Sequence, residues 1–204
     1  MAGLLANLRS TVISGIILAI IMIIVVVIWY PDTNAFDLGS TDWWTFFVRW
    51  LHVLSGVMWI GLLWYFNFVQ IPNMASIPDE QKPAISKVIA PSALFWFRWG
   101  AMGTIVTGVI LAILNDYFVG ALLIGLESGV PKDTAIGIGM WLGAIMWFNV
   151  WFIIWPNQKK ALGIVEVDAD TKAKAGRTAM LFSRTNTLLS IPMLYAMVSA
   201  QNLY

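Results

Sequence analysis

No residue between Arg9 and Asp32 carries a charge, and the run from Val12 to Tyr30 is built around I-I-L-A-I-I-M-I-I-V-V-V-I-W-Y. A helix needs about 20 apolar residues to cross a bilayer, and little else keeps so long an apolar run from water. A secretory signal has a shorter apolar core, about 7–15 residues, and a small-x-small cleavage site, which is missing here. The segment is therefore expected to be an uncleaved first helix. Four further apolar segments follow: Trp43 to Val69, Ser92 to Leu114, Ile136 to Trp155 and Met180 to Ala200. The expected fold is all-α, a single transmembrane domain of residues 1–204 with five spans. Nothing reads as a soluble domain, an internal repeat or a low-complexity region.

Composition narrows the chemistry. Charged residues make up 11% of the chain, against about 25% in soluble domains. Twelve tryptophans exclude disorder. With no cysteine there is no disulfide, zinc–thiolate site, iron–sulfur cluster, covalently attached c-type haem or cysteine nucleophile. A net charge of +1 gives no footing for nucleic acid.

Loop charges set an expected orientation. Arg9, Lys82, Lys87, Lys159, Lys160, Lys172, Lys174 and Arg177 fall on one side, and Lys132 alone on the other, beside Asp32, Asp37, Asp42, Asp116, Glu127 and Asp133. The positive-inside rule then places the N-terminus in the cytoplasm and the C-terminus outside. The long inner loop, Pro156 to Arg177, has room for a short amphipathic stretch.

Ionisable residues at membrane depth are functional candidates by default, because inserting one at a helix centre costs about 2.5–3.5 kcal/mol. Arg49 and the only histidine, His52, belong to the outer half of the second span; Arg98 and Arg184 belong near the inner ends of the third and fifth. In the outer layer His52, Gly56, Trp59 and Leu63 share one helical face. A neutral imidazole beside a missing side chain at Gly56 suits an axial ligand to haem iron, with Arg49 available to a propionate. The other reading is that His52 hydrogen-bonds a neighbouring helix and Gly56 permits close packing. With one histidine, a bis-histidine haem within the chain is impossible. The second axial position would be open, or filled by Met58, Met102, Met146, another methionine or a second subunit.

The inner layer holds Arg98 and Arg184 with Asn149 and Asn186. Two arginines without acidic partners suit an anion, a quinone carbonyl or a planar oxo-heterocycle; equally, both can snorkel to lipid phosphates. Asn149 lies deepest and should face the protein interior. Trp29, Trp43, Trp44 and Trp155 fit interfacial belts. Trp147, Trp151 and Trp155 form an i, i+4 stripe that serves either packing or a cofactor wall.

Four stretches resemble one family. R-W-L-H-V-L-S-G-V-M-W-I-G-L-L-W-Y-F-N-F-V-Q (Arg49 to Gln70), A-L-F-W-F-R-W-G-A (Ala93 to Ala101), M-W-F-N-V-W-F-I-I-W-P-N-Q-K (Met146 to Lys159) and S-R-T-N-T-L-L-S-I-P-M-L (Ser183 to Leu194) resemble, in the same order, the N-terminal membrane domain of the bacterial urate oxidase, or urate hydroxylase, family. The resemblance implies a redox protein of the bacterial inner membrane, with His52 as metal or haem ligand and Arg98, Asn149, Arg184 and Asn186 as polar motif residues. It also implies electron transfer to a cytochrome c. The family's C-terminal cytochrome motif, Cys-x-x-Cys-His, does not occur in this sequence.

Two functions from different classes follow. One is a redox protein that holds b-type haem, or engages a quinone, and passes electrons from urate or a quinol to a separate cytochrome or respiratory complex. The other is a non-catalytic subunit or homo-oligomer packed within a larger membrane complex. A small-anion carrier is a weaker third reading, since the sequence offers neither an inverted repeat nor an obvious pair of broken helices.

Overall fold

The computed structural model describes residues 5–30 and 36–204, and among these the chain is helical without a strand. The long helices are α1 (Leu8–Trp29), α2 (Thr41–Trp64), α3 (Ala90–Leu114), α5 (Pro131–Phe148) and α7 (Ala169–Asn202), with short helices α4 (Phe118–Leu122) and α6 (Trp155–Ala161) between them. Four stretches are long and apolar enough to cross a membrane: Leu8–Trp29, Thr41–Ser76, Lys82–Leu114 and Pro131–Ala161. The fifth expected span lies in the second half of α7, whose first half (A-D-T-K-A-K-A-G-R-T) is polar.

The chain divides into two compact units, Met1–Phe47 and Val48–Tyr204. In the first, the side chain of Asn7 caps α1 by accepting the backbone N–H groups of Arg9 and Ser10. No residue of α1 is buried. Phe36, Trp43, Trp44 and Phe47 form an aromatic cluster, with the Trp43 and Phe47 rings stacked 5.3 Å apart.

The second unit is a helical bundle whose helices are locally broken. Three π-helical segments, Tyr65–Gln70, Ile85–Ile89 and Asn149–Ile154, precede Pro72, Pro91 and Pro156. Proline lacks the N–H that would bond the carbonyl four residues earlier, and its ring crowds that carbonyl. The carbonyls concerned, on Phe68, Lys87 and Phe152, all fall inside the wider π turns. Sequence periodicity assumes an unbroken 3.6-residue repeat, so it does not reveal these turns.

The main core is Trp59, Ile60, Leu63, Phe66, Leu94, Phe97, Ala101, Met146, Val150, Ile154 and Met193. A separate small cluster, Ala121, Ile136 and Ala200, anchors α4. Beneath the main core an amide network ties α7 to the rest. Asn149 Nδ2 donates to Asn186 Oδ1 (2.8 Å), and Asn186 Nδ2 to the Met146 carbonyl (2.9 Å). Asn67 Nδ2 donates to Ser183 Oγ (2.8 Å) and Trp64 Nε1 to Ser190 Oγ (3.0 Å). Asn149 faces the interior, as its depth in the sequence implied.

At the polar start of α7 the Asp168 carboxylate accepts from Thr171 N (2.9 Å) and Thr171 Oγ1 (2.6 Å), and these bonds hold it below the usual carboxylate range. A depressed carboxyl supports folding above its unfolded value, about 3.9, and loses that support as pH falls through the lower folded value. The protection factors of the Thr171 and Lys172 amides, measured against the intrinsic rate at each pH, should therefore fall on acidification below about pH 4, and less so in Asp168→Asn. In the buried network, Asn186→Leu should cost about 1 kcal/mol. The paired Asn149→Leu and Asn186→Leu exchange should cost less than the sum of its parts in a denaturation series in micelles.

Candidate functional site

His52 lies on α2 one turn before Ser55 and two before Trp59, on the face turned to α3. That face of α3 is nearly bare of side chains. A Cβ on Gly100 would come within 3.1 Å of Trp59 N, and one on Gly108 within 3.0 Å of His52 Cε1. The two helices meet closely, and the imidazole edge rests against α3.

Nδ1 of His52 is 2.9 Å from the Thr104 carbonyl oxygen and 3.1 Å from Thr107 Oγ1. A carbonyl can only accept, so Nδ1 carries the proton and donates it. The Thr107 hydroxyl spends its own hydrogen on the Gly103 carbonyl (2.6 Å) and keeps a lone pair for the same proton. Nε2 is left bare, an acceptor or metal ligand with no hydrogen-bond partner among the described residues.

His52 borders a cavity of about 270 Å³, just below the range of about 300–1,000 Å³ usual for ligand pockets. Trp59 supplies one wall, Thr104, Ile105, Gly108 and Val109 another, and Met140, Trp141, Gly143 and Ala144 of α5 a third; Met193 and Met197 of α7 and Phe118 and Leu122 of α4 complete it. The wall carries no charged side chain. Gly143 is buried, yet a Cβ there would meet nothing within 4 Å. Its missing side chain is part of the void. Among the described residues no group of three or more His, Cys, Asp or Glu could hold a metal ion. An ion at His52 would have to bring most of its ligands with it, as the iron of a porphyrin does.

The structure brings together only some of the residues singled out in the sequence. His52 and Trp59 both line the cavity. Gly56 does not, and a Cβ on it would enter open space away from the wall. Arg49 is exposed and donates through Nη2 to Asn115 Oδ1 (3.4 Å), outside the lining. In the inner layer Arg98 stacks its guanidinium on Trp155, 3.4 Å from the ring centroid, while Arg184 is exposed on α7 and Asn186 fully buried. Asn149 donates to Asn186, which donates in turn to the Met146 carbonyl. Trp151 packs edge-on against Trp99 (5.7 Å), so the tryptophan stripe serves packing, with Arg98 as part of it. The methionines facing the cavity are Met140, Met193 and Met197. Of those named from sequence, Met58 is exposed and Met146 sits in the main core.

One signal went unread in the sequence. M-W-I-G-x-x-x-x-F-N (Met58 to Asn67) and M-W-L-G-x-x-x-x-F-N (Met140 to Asn149) share residues and spacing. In the structure Trp59 and Trp141 both line the cavity, and Asn67 and Asn149 both sit in π segments and donate to α7. The two stretches are equivalent pieces of one design, and the cavity lies between them.

Residues 128–203 match the family profile described as urate oxidase N-terminal. Over this segment the chain resembles the urate oxidase N-terminal domain. The match covers α5 to α7, with Asn149, Arg184, Asn186 and the cavity residues Met140, Trp141, Gly143, Ala144, Met193 and Met197. It does not extend to His52. Searches of curated proteins and of solved structures found no match.

The two glycines of the wall predict opposite results. Gly143→Ala should raise stability by about 1 kcal/mol, the ordinary helix-propensity gain, because its methyl enters empty space. Gly108→Ala should lower stability and displace the imidazole. Thermal unfolding of the two variants in the same detergent compares them directly.

Proposed function

We propose that the protein is a redox subunit of the bacterial inner membrane, a five-span bundle with its N-terminus in the cytoplasm, that binds b-type haem through His52 Nε2. The observation that carries this reading is the pinned imidazole: Nδ1 donates to the Thr104 carbonyl at 2.9 Å and the opposite nitrogen is unpartnered beside an apolar cavity. Ligating histidines commonly have this arrangement, their second nitrogen anchored to a backbone carbonyl. The walls are apolar, with tryptophan, phenylalanine and thioether groups and no competing charge, and the void of about 270 Å³ would take one part of a macrocycle beside His52. They offer no cation to the propionates, so Arg49 is not part of the case.

Haem would supply one-electron chemistry when bound; the chain's own contribution is ligation, orientation and exclusion of water. Met140, Met193 and Met197 are the thioethers available for a sixth ligand. The basic inner loops support the orientation, and the resemblance over residues 128–203 supports a membrane-domain role. The electron donor would be urate or a quinol, and the acceptor a separate cytochrome c or respiratory complex.

Protein purified gently from its own membrane should show a b-type haem spectrum. His52→Ala should abolish it while helix content stays unchanged. A colourless wild-type protein, fully folded, would overturn the proposal. The accessory-subunit reading is favoured by α1, which buries none of its residues. It predicts instead a cofactor-free protein that co-purifies with a partner on native gels.

A further inference from the structure

The cavity is a seam between two unequal cores. Trp59 and Met193 belong to the main one, while Met140 and Met197 pack against the small cluster of Ala121, Ile136 and Ala200. That cluster is all that anchors α4 by apolar burial, and α4 roofs the cavity with Phe118 and Leu122. Small buried clusters open more readily than large ones.

The ends of α4 are built as joints. Asp116 (φ 56°) precedes it and Ile124 (φ 55°) follows, both in the left-handed region, with Gly125 (φ 69°) next. For a β-branched isoleucine this is an outlier that the surroundings must enforce. Two bonds enforce it from α5: Thr134 Oγ1 donates to the Ile124 carbonyl (3.1 Å) and Trp141 Nε1 to the Leu122 carbonyl (3.0 Å). Beneath the segment Gly137 lies so close to the Ala121 carbonyl that a Cβ would collide with it.

Trp141 and Leu122 are also rim residues. With Val109 they are the lining residues that are exposed, and all three are apolar. The latch bond therefore runs across the mouth of the cavity. The mouth is thus framed by leucine, valine and tryptophan with no charged side chain on it, a rim suited to an apolar visitor.

We propose that α4 is a lid, hinged at Asp116 and Ile124 and latched by the Trp141–Leu122 bond, through which the His52 cavity takes a membrane-partitioning ring compound from the bilayer. This rests on the reading of that cavity as a ligand site and adds its route of entry and the class of molecule admitted. Opening costs the two bonds and the little cluster under Ala121, and it relieves the backbone at Ile124. A sugar or a small inorganic anion, with no apolar face to offer, would have to cross the apolar rim without its water, and is excluded.

The chain has no cysteine, so Gly143→Cys places a unique thiol in the void without a clash. In the full-length protein in nanodiscs, neutral N-ethylmaleimide should label it slowly. Adding Trp141→Phe, which keeps the ring and removes the N–H, should speed labelling about fivefold, the equivalent of one hydrogen bond. Gly137→Ala, which pushes the lid away from α5, should act in the same direction. An anionic sulfonate methanethiosulfonate should not label in any variant. In samples whose absorbance shows no bound haem, unchanged N-ethylmaleimide rates in both latch variants, or absence of labelling in all of them, would overturn the lid. Labelling by the sulfonate reagent as fast as by the maleimide would overturn entry from the bilayer. Haem absorbance read on the wild-type protein in parallel keeps the two claims apart, since the lid can open over a cavity that holds no haem.

Discussion

A half-buried imidazole has two nitrogens and, when neutral, one proton, and in this chain α3 decides where that proton sits. The Thr104 carbonyl takes it on Nδ1, the Thr107 hydroxyl backs that choice, and Gly108 lets the ring lie close enough for both. Everything proposed for the site depends on this. A bare Nε2 on a ring that borders an apolar void is a lone pair open to an acid, whether a metal or a hydrogen-bond donor. Had Nε2 carried the proton, the same cavity would offer no lone pair, and the tryptophan and methionine walls would enclose only a packing defect.

The rest of the bundle pairs the amide donors of its buried asparagines. Asn67, Asn149 and Asn186 are buried where lipid would give them no partner, and they bond each other, Ser183 and the Met146 carbonyl. The prolines that interrupt the helices free carbonyls inside π turns and set Asn67 and Asn149 there. Arg98 finds the face of Trp155 in place of an anion. These asparagines thus form a structural joint holding α7 to the repeated Trp-Gly-Phe-Asn segments, apart from the cavity at His52.

Sequence periodicity revealed what depends on residues near each other in the chain. The all-helical class follows from the long uncharged runs; the shared face of His52 and Trp59 follows from the helical repeat; Asn149 pointing inward follows from its depth. Contacts set by tertiary pairing were not legible. The partners of Nδ1 lie on another helix, and Gly143 reads like any helical glycine until the neighbouring side chains are seen to leave its space empty. Gly56 illustrates the same point in reverse, since its one-turn spacing from His52 suggested a slot that packing placed at Gly108 and Gly143. The polar first half of α7 looked like loop because its apolar count is low, yet Asp168 caps it and Ala175 and Ala179 bury one side. The duplicated Met-Trp-x-Gly…Phe-Asn pattern was present in the letters and needed the cavity between its copies to give it meaning.

Because the chain contains one histidine, selective nitrogen-15 labelling of that residue gives one pair of ring signals with no assignment problem. The account predicts a proton on Nδ1 that exchanges slowly with water, and an Nε2 that is either unprotonated or shifted by bound iron. A proton on Nε2, or an imidazolium in rapid exchange with solvent at neutral pH, would contradict it.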